Sequence, residues 1–363
     1  MSKTTMINPF FIMIEPMQRL LLVNFSKDPD EHYIGLEPQV FSKEENAETY
    51  VIIGWRRDGL VDVYYQSFSD VEDKDYDHTG KGLSEKIKTE FTNAHFIVTP
   101  KGVSAAFQFT DKYNREISIR ISENHSNDAQ PFSLLAPMGM ATRKPTSFPM
   151  ILLYDFYFVR KKESILEVKI AGKRHKLDIL PMPIDGSRMS FTRYSNKPLI
   201  AYLNPALDDH IGVIKLKNHQ QEYKSEKTIL KISWEKSVPS IKKMTQINAT
   251  YPIALTFSPP FPNIVSLENN QLTEGTFTIM SHPSVGKITG NYAVIRKGND
   301  IKVKCCPSLG WLPVQDKWEL RVLYRIAPVF TQWPKTYEWT GYITERNQSN
   351  YYMHSKWKRI NMN

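Results

Sequence analysis

Cysteine is nearly missing from this sequence: two in 363 residues, and they are neighbours, Cys305 and Cys306. Such a pair offers no disulfide framework, and two sulfurs without a nearby His or second Cys pair make a poor zinc site. Neighbours in a strand point to opposite faces, so one thiol is expected in the core and one outside, both free. Also absent are a Gly-rich phosphate loop, a Walker pattern, G-x-S-x-G, H-E-x-x-H and the dinucleotide fingerprint. The nine His are dispersed. These absences predict neither a metal nor a cofactor. Long apolar runs are missing as well. The greasiest early stretch, "FFIMIEPMQRLLLVNF" (10–25), is interrupted by Glu15, Pro16, Gln18 and Arg19. That is too short for a span and wrong for the apolar part of a signal peptide. A cytoplasmic chain without stable membrane insertion is the expectation.

What is present is enough apolar surface for real cores, 41% of residues with 12% aromatic. A prior of roughly 150 residues per domain gives about two domains. The formal charge of +9 raises nucleic acid or an anionic membrane as partners. The basic residues, however, are scattered among apolar ones and their clusters are short: "RKK" (160–162), "GKRHK" (172–176), "KWKR" (356–359). That is the pattern of a solvated surface. Trp311, Trp318, Trp333, Trp339 and Trp357 sit at strand spacing and read as core aromatics. With no recognition helix or basic stripe, no nucleic-acid partner is expected.

The dominant period is two. "EISIRIS" (116–122) aligns Ile117, Ile119 and Ile121 against Ser118 and Arg120, and "VSAAFQFT" (103–110), "ILEVKI" (165–170) and "IKVKC" (301–305) repeat the style. Such alternation marks half-buried antiparallel strands. Asp58-Gly59 and "KGND" (297–300) supply hairpin turns. Gly290, inside an otherwise regular strand, predicts a bulge. The stretch 82–94 reads as strand, 15–23 as a short helix, and "KWELRVLYRI" (317–326) as strand. Alternation breaks near "LNPALDDH" (203–210), which divides the chain into β domains at 1–205 and 206–363.

Regular short strands with hairpin turns mean a barrel or a sandwich. The stretches "GWRRDGLVDVYYQSF" (54–68), "PFSLLAPMG" (131–139) and "GTFTIMSH…GNYAVIRKG" (275–298) resemble, in layout, the lipocalin-like superfamily and within it the two-domain group that includes carotenoid hydratases. The resemblance implies an all-β chain of two antiparallel lipocalin-like barrels or sandwiches with few short helices, and a small hydrophobic ligand. It carries over no catalytic position.

The site candidates come from polar residues in apolar strands. In "MILLYDFYFVRKK" (150–162), Asp155 interrupts a run whose two faces are both apolar, which predicts a central strand. A buried carboxylate is costly unless paired or hydrogen-bonded. Asp155 is therefore either tied to a backbone N–H, a Tyr hydroxyl or an Arg, or it lines a ligand cavity beside Tyr157 as an acid or base with a raised pKa. Glu123 and His125 continue the apolar face of 117–121. They are either an acid–base pair at a barrel mouth or the exit of the strand into solvent. Arg193 is either the cationic partner of Asp155 or a surface residue. Met138 lies in a loop-like, proline-flanked segment that lines an adaptable apolar site or caps a barrel end. Three functions stay open: binding of a lipid- or isoprenoid-like molecule in a barrel cavity, a cofactor-free hydratase or isomerase, and an interaction scaffold. Convergence of Asp155, Glu123 and His125 on one pocket selects the enzyme; scattered positions select the carrier.

Overall fold

The computed structural model describes residues 3–15, 17–42, 48–66, 79–184, 186–248, 250–347 and 350–360. It is 62% strand and 7% helical, the all-β chain the alternation predicts.

Three large sheets carry the fold. The nine-stranded sheet runs, edge to edge, through Phe132–Ala136, Phe148–Arg160, Met189–Leu203, Met17–Asn24, Tyr33–Ser42, Glu48–Arg56, Val61–Tyr65 and Leu83–Lys88, with Ile12–Glu15 also paired to Met189–Leu203. The five-stranded sheet holds Lys173–His175, Ser164–Ile170, Glu116–Glu123, Gly102–Thr110 and Thr92–Thr99. The ten-stranded sheet belongs wholly to the second half. Its order is Asp208–Ile211, Asn350–Arg359, Tyr337–Asn347, Asp300–Leu312, Lys287–Lys297, Leu272–Met280, Ile253–Phe261, Val238–Gln246, Thr228–Glu235 and Glu222–Lys224. A small ribbon pairs Lys3–Ile7 with Val213–Lys217.

Two apolar cores explain the stacking. Leu21, Val23, Leu36, Val40 and Ile52 of the nine-stranded sheet pack with Phe96, Phe107, Ile117, Ile119 and Ile121 of the five-stranded sheet. Their opposite-facing neighbours Leu20, Val51, Ile53 and Val63 join Leu230, Ile241, Phe257, Ile279 and Trp339 of the ten-stranded sheet. The nine-stranded sheet is thus buried on both faces, and sandwich packing replaces barrel closure. Among the described residues none of the sheets closes into a barrel. Exposed edges are blunted instead by short charged strands, "KRH" (173–175), "DDHI" (208–211) and "EYK" (222–224). The chain changes sheet at the expected division near 205, but the second core is continuous across it.

Several local expectations hold. Cys305 is buried, Cys306 half-buried, and both are free. The register shifts between Thr289 and Asn291, which places the bulge at Gly290; a Cβ there would lie 2.1 Å from the Cys306 carbonyl oxygen. Trp311, Trp333, Trp339 and Trp357 are core residues, whereas Trp318 is exposed.

Three expectations fail. Where the sequence predicts a short helix over 15–23, the described residues belong to the strands Ile12–Glu15 and Met17–Asn24, because Leu20 and Leu21 are needed in different cores. Residues 318–326 form a helix, not a strand. Its buried Leu320 and Tyr324 lie one turn apart, and Tyr324 meets Trp311 edge-on at 5.1 Å. The segment 131–139 opens with a strand, Phe132–Ala136, on the edge of the nine-stranded sheet.

Candidate functional site

The strand Phe148–Arg160 has both faces buried, as its sequence requires. Met150, Leu152, Tyr154 and Phe156 belong to the core shared with the ten-stranded sheet, and Val159 to the core under the five-stranded sheet. Asp155 marks a change in this strand. Its φ is +45°, and the pairing to Phe132–Ala136 slips there, with Leu134 opposite Leu153 but Phe132 opposite Phe156. The left-handed region is tolerated by Asp and Asn far better than by branched or bulky residues. The bulge turns the side chain outward, where its carboxylate meets Lys197 Nζ at 3.0 Å. The cation beside Asp155 is Lys197 rather than Arg193, which donates to Asn24.

Exposure sets what this pair is worth. The side chains of Asp155 and Lys197 are 33% and 52% exposed, so screening limits the interaction to under about 1 kcal/mol. Asp155→Asn, which keeps the left-handed preference, is expected to cost no more than that in urea unfolding. Asp155→Val is expected to cost about 1–3 kcal/mol through backbone strain. Equal losses for the two variants would remove the bulge from the explanation.

Glu123 and the His125 backbone meet around Arg160 and the Lys101 carbonyl, and Glu123 also acts on Tyr194, the partner of Tyr157. Glu123 is buried against Arg160: its Oε1 accepts from the Arg160 Nε and, at 3.2 Å, from the Arg160 backbone N–H. Arg160 also donates to the carbonyls of Asn127 at 2.9 Å and Lys101 at 3.0 Å. His125 donates its backbone N–H to the Lys101 carbonyl, 3.0 Å away. Tyr157 stacks on buried Tyr194 with ring centroids 5.0 Å apart. Burial, and secondarily Asp155, raises the Tyr157 hydroxyl's pKa. Met138 packs against the second core beside Gly139, whose carbonyl accepts from Tyr337 and Arg359. None of these residues lines the clefts described below.

Two buried polar clusters were not singled out by the sequence. In one, Asp62 is fully buried and accepts from Lys112 Nζ at 2.8 Å, the Tyr33 hydroxyl at 3.0 Å and Arg56 at 3.3 Å. Tyr33 and Tyr64 share a hydrogen bond of 2.5 Å. Burial holds both phenols well above their usual range. Arg115, from the same turn as Lys112, bridges Asp111 at 2.8 Å and Asp30 at 3.0 Å. This network fastens the 111–115 turn of the five-stranded sheet onto the nine-stranded sheet.

The other cluster faces the opposite core. Glu37 accepts from Gln39 Nε2 at 2.8 Å and Trp55 Nε1 at 2.9 Å. Burial pushes its carboxyl up to about 7, against the opposing pull of these donors and of Arg193. Arg193 donates to Asn24 Oδ1 at 2.6 Å and lies 4.2 Å over the Phe191 ring; burial lowers its pKa to about 10. A carboxylate inside the apolar-rich "YIGLEPQVF" (33–41) carries the same signal that drew attention to Asp155.

Open space lies elsewhere, at the margin between the nine- and ten-stranded sheets. A cleft of about 530 Å³ is walled on one side by Phe11–Glu15 and Pro205–Leu207, and on the other by Lys227 and Gln246–Asn248. A second space of about 280 Å³ adjoins it across Phe11 and Ile12, with Ile211, Ile214, Tyr223 and Leu230 in its walls. Local hydrogen bonds hold the shape. Asn204 is left-handed, φ +44°; its Oδ1 accepts from the Phe11 N–H at 2.8 Å, and its own N–H donates to the Phe11 carbonyl at 2.9 Å. Opposite, Ile247 N–H donates to the Lys227 carbonyl at 2.8 Å and Thr228 Oγ1 donates to Gln246 Oε1 at 2.9 Å. Strand alternation leaves Phe11 and Met13 exposed in the cleft while Ile12 is buried beneath. The charged lining groups are Lys227 and Glu15, and Glu15 accepts from the Tyr202 hydroxyl at 2.8 Å. A third cleft, about 480 Å³, is lined by Lys81 and Ala141–Lys144 and lacks large apolar walls. A pocket among Met150, Leu152, Ile253 and Trp311, between the sheets, holds only about 10 Å³.

Among the described residues no group of three His, Cys, Asp or Glu is placed to hold a metal ion, and no helix is long and apolar enough to cross a membrane. No family model, curated protein or solved structure matches the chain. The lipocalin-like resemblance therefore rests on its three sequence stretches alone.

Proposed function

We propose that this protein binds an elongated apolar molecule with an anionic end group in the cleft between Phe11–Glu15 and Gln246–Asn248, and does so without catalysis. The observation that carries the reading is the cleft itself. Its volume of about 530 Å³ lies in the ordinary range for small-molecule sites, and its apolar wall with a few polar groups has the usual composition. The adjoining space past Phe11 and Ile12 favours a long ligand over a compact one. Lys227 at the rim favours a carboxylate or similar group at one end. A binding role is also supported by the lining of the cleft, which includes none of Asp155, Glu123 and His125, since acid–base chemistry needs such groups within hydrogen-bond reach of the reacting atom.

The test uses an environment-sensitive apolar dye and its displacement by a long-chain fatty acid. One dye per chain is expected, displaced by the acid and more weakly by the alcohol of the same length. Ala206→Trp, which fills the exposed wall, should abolish dye binding, and Lys227→Ala should remove the preference for acid over alcohol. Dye uptake that is absent, or that saturates only at many dyes per chain and ignores Ala206→Trp, would leave the scaffold reading in its place.

A further inference from the structure

The charge of the chain is not spread evenly. Residues 1–205 carry 26 Lys and Arg against 26 Asp and Glu, whereas residues 206–363 carry 21 against 12, so the whole +9 belongs to the second half. The ten-stranded sheet is that half's main element, and its inner face is apolar core. Cations of its strands therefore collect on the outer face.

The pairing register brings the pieces together. Tyr342 lies directly between Lys302 on one neighbouring strand and His354 on the other, and Thr340 likewise lies between Lys304 and Lys356. Next along, Thr344 is opposite Tyr352. Tyr342 is 40% exposed at the middle of this surface. Lys302 Nζ stands 5.4 Å and Lys356 Nζ 6.0 Å from its ring centroid, and Arg346 stands 4.2 Å over Tyr352. Glu338 occupies Lys304 and Lys358, at 3.5 and 2.9 Å. Among the described residues Lys302 and Lys356 have no carboxylate partner.

We infer that this outer face binds single-stranded nucleic acid, with Tyr342 as a stacking platform for a base and Lys302 and Lys356 on the flanking phosphates. Exposed aromatics on a sheet, set among cations, are what unpaired bases need: every base offers a π-face, and the backbone offers the charge. A duplex hides its bases and asks for a helix or ribbon that enters a groove, which a broad sheet face is not. An anionic membrane would be matched by protruding apolar groups among the cations, whereas the centre here holds Thr, Tyr and His, with Asp208 accepting from Tyr352 and His354 at its margin. Lysines that look scattered along the chain are brought side by side by register.

The experiment is fluorescence anisotropy of the full chain with labelled oligo-dT and oligo-rU, with heparin and phosphatidylserine vesicles as rival polyanions. Binding is expected at low salt, weakening as salt rises, with a log–log slope of about −1.4 if two phosphates are engaged. Tyr342→Ala should weaken oligonucleotide binding roughly 10-fold, as loss of one stacked base requires, and leave heparin binding unchanged. Lys302→Glu with Lys356→Glu should abolish the salt dependence. Tyr342 and Lys356 are exposed and Lys302 is half-buried, and circular dichroism checks that the fold is kept. Absence of oligonucleotide binding at low salt would overturn the inference. So would oligonucleotide binding indifferent to Tyr342→Ala, or vesicle binding that is tighter and equally indifferent.

Discussion

Replacing Asp62 with Ala is expected to cost on the order of 3–5 kcal/mol of stability, the range for breaking a buried ion pair from one side. The reason is what is left behind. Lys112 is 14% exposed and Arg56 18% exposed, and both lose their fully buried acceptor. The Tyr33 hydroxyl loses its carboxylate partner as well. These groups join the 111–115 turn to the nine-stranded sheet, so the loss should be felt first in the five-stranded sheet. Urea unfolding gives the total, and hydrogen exchange should show falling amide protection in Gly102–Thr110 and Glu116–Glu123. A cost under about 1 kcal/mol, the level of an exposed pair, would mean that water reaches the site and the network is ornamental. Asp155→Asn is the internal comparison: also a carboxylate with a lysine, but at the surface.

The second large effect is a pH dependence set by Glu37. Its carboxyl is raised from 4.5 to about 7 in the folded chain, chiefly by burial. Between those values the folded state holds a proton that the unfolded state has released. Stability from this group is therefore complete below about pH 4.5 and is lost as pH rises to about 7. At about 1.4 kcal/mol per pKa unit, the loss is on the order of 3 kcal/mol. Most carboxylates act in the opposite direction, gaining stability on ionisation, so the effect is read as a difference between proteins. Glu37→Gln keeps the shape and cannot ionise. Subtracting its stability curve from that of the parent should leave a downward slope between pH 4.5 and 7. A flat difference would show that Glu37 stays charged in the fold, held by Arg193 more strongly than its burial opposes.

Much of the local structure was legible from residues alone. Alternation in "EISIRIS" and "IKVKC" places Ile117, Ile119, Ile121, Ile301 and Val303 in cores because a strand has only two faces. The same rule separates Cys305 from Cys306, and a glycine without a reason to sit in a strand gave away the bulge at 290. Helix against strand at 15–23 and 318–326 was decided elsewhere. Both segments have enough apolar residues for either period, and the layer available to receive them chose.

The candidate site was far less legible. Asp155, Glu123 and His125 were noticed because polar groups in apolar strands need an explanation; Asp155 has one in Lys197 and Glu123 in Arg160, whereas His125 Nδ1 is buried without a hydrogen-bond partner among the described residues. The same signal was present at Glu37 and Asp62 and says only that a partner exists. Partners such as Lys112 for Asp62, or Arg160 for Glu123, lie 50 and 37 positions away, beyond anything periodicity can reach.

By itself, then, the sequence determined that the chain is predominantly β, which side chains share a face, the bulge at Gly290, and that Met150–Val159 must be covered on both sides. These follow from local geometry, since each depends on neighbours within a few residues. Tertiary structure alone decided that the sheets stack rather than close, because closure depends on which strand pairs with which edge. It alone placed Lys197 beside Asp155, opened the cleft where Phe11–Glu15 approaches Gln246–Asn248, and gathered dispersed lysines around Tyr342. Those are relations between distant segments, fixed only when register and layer order bring them together.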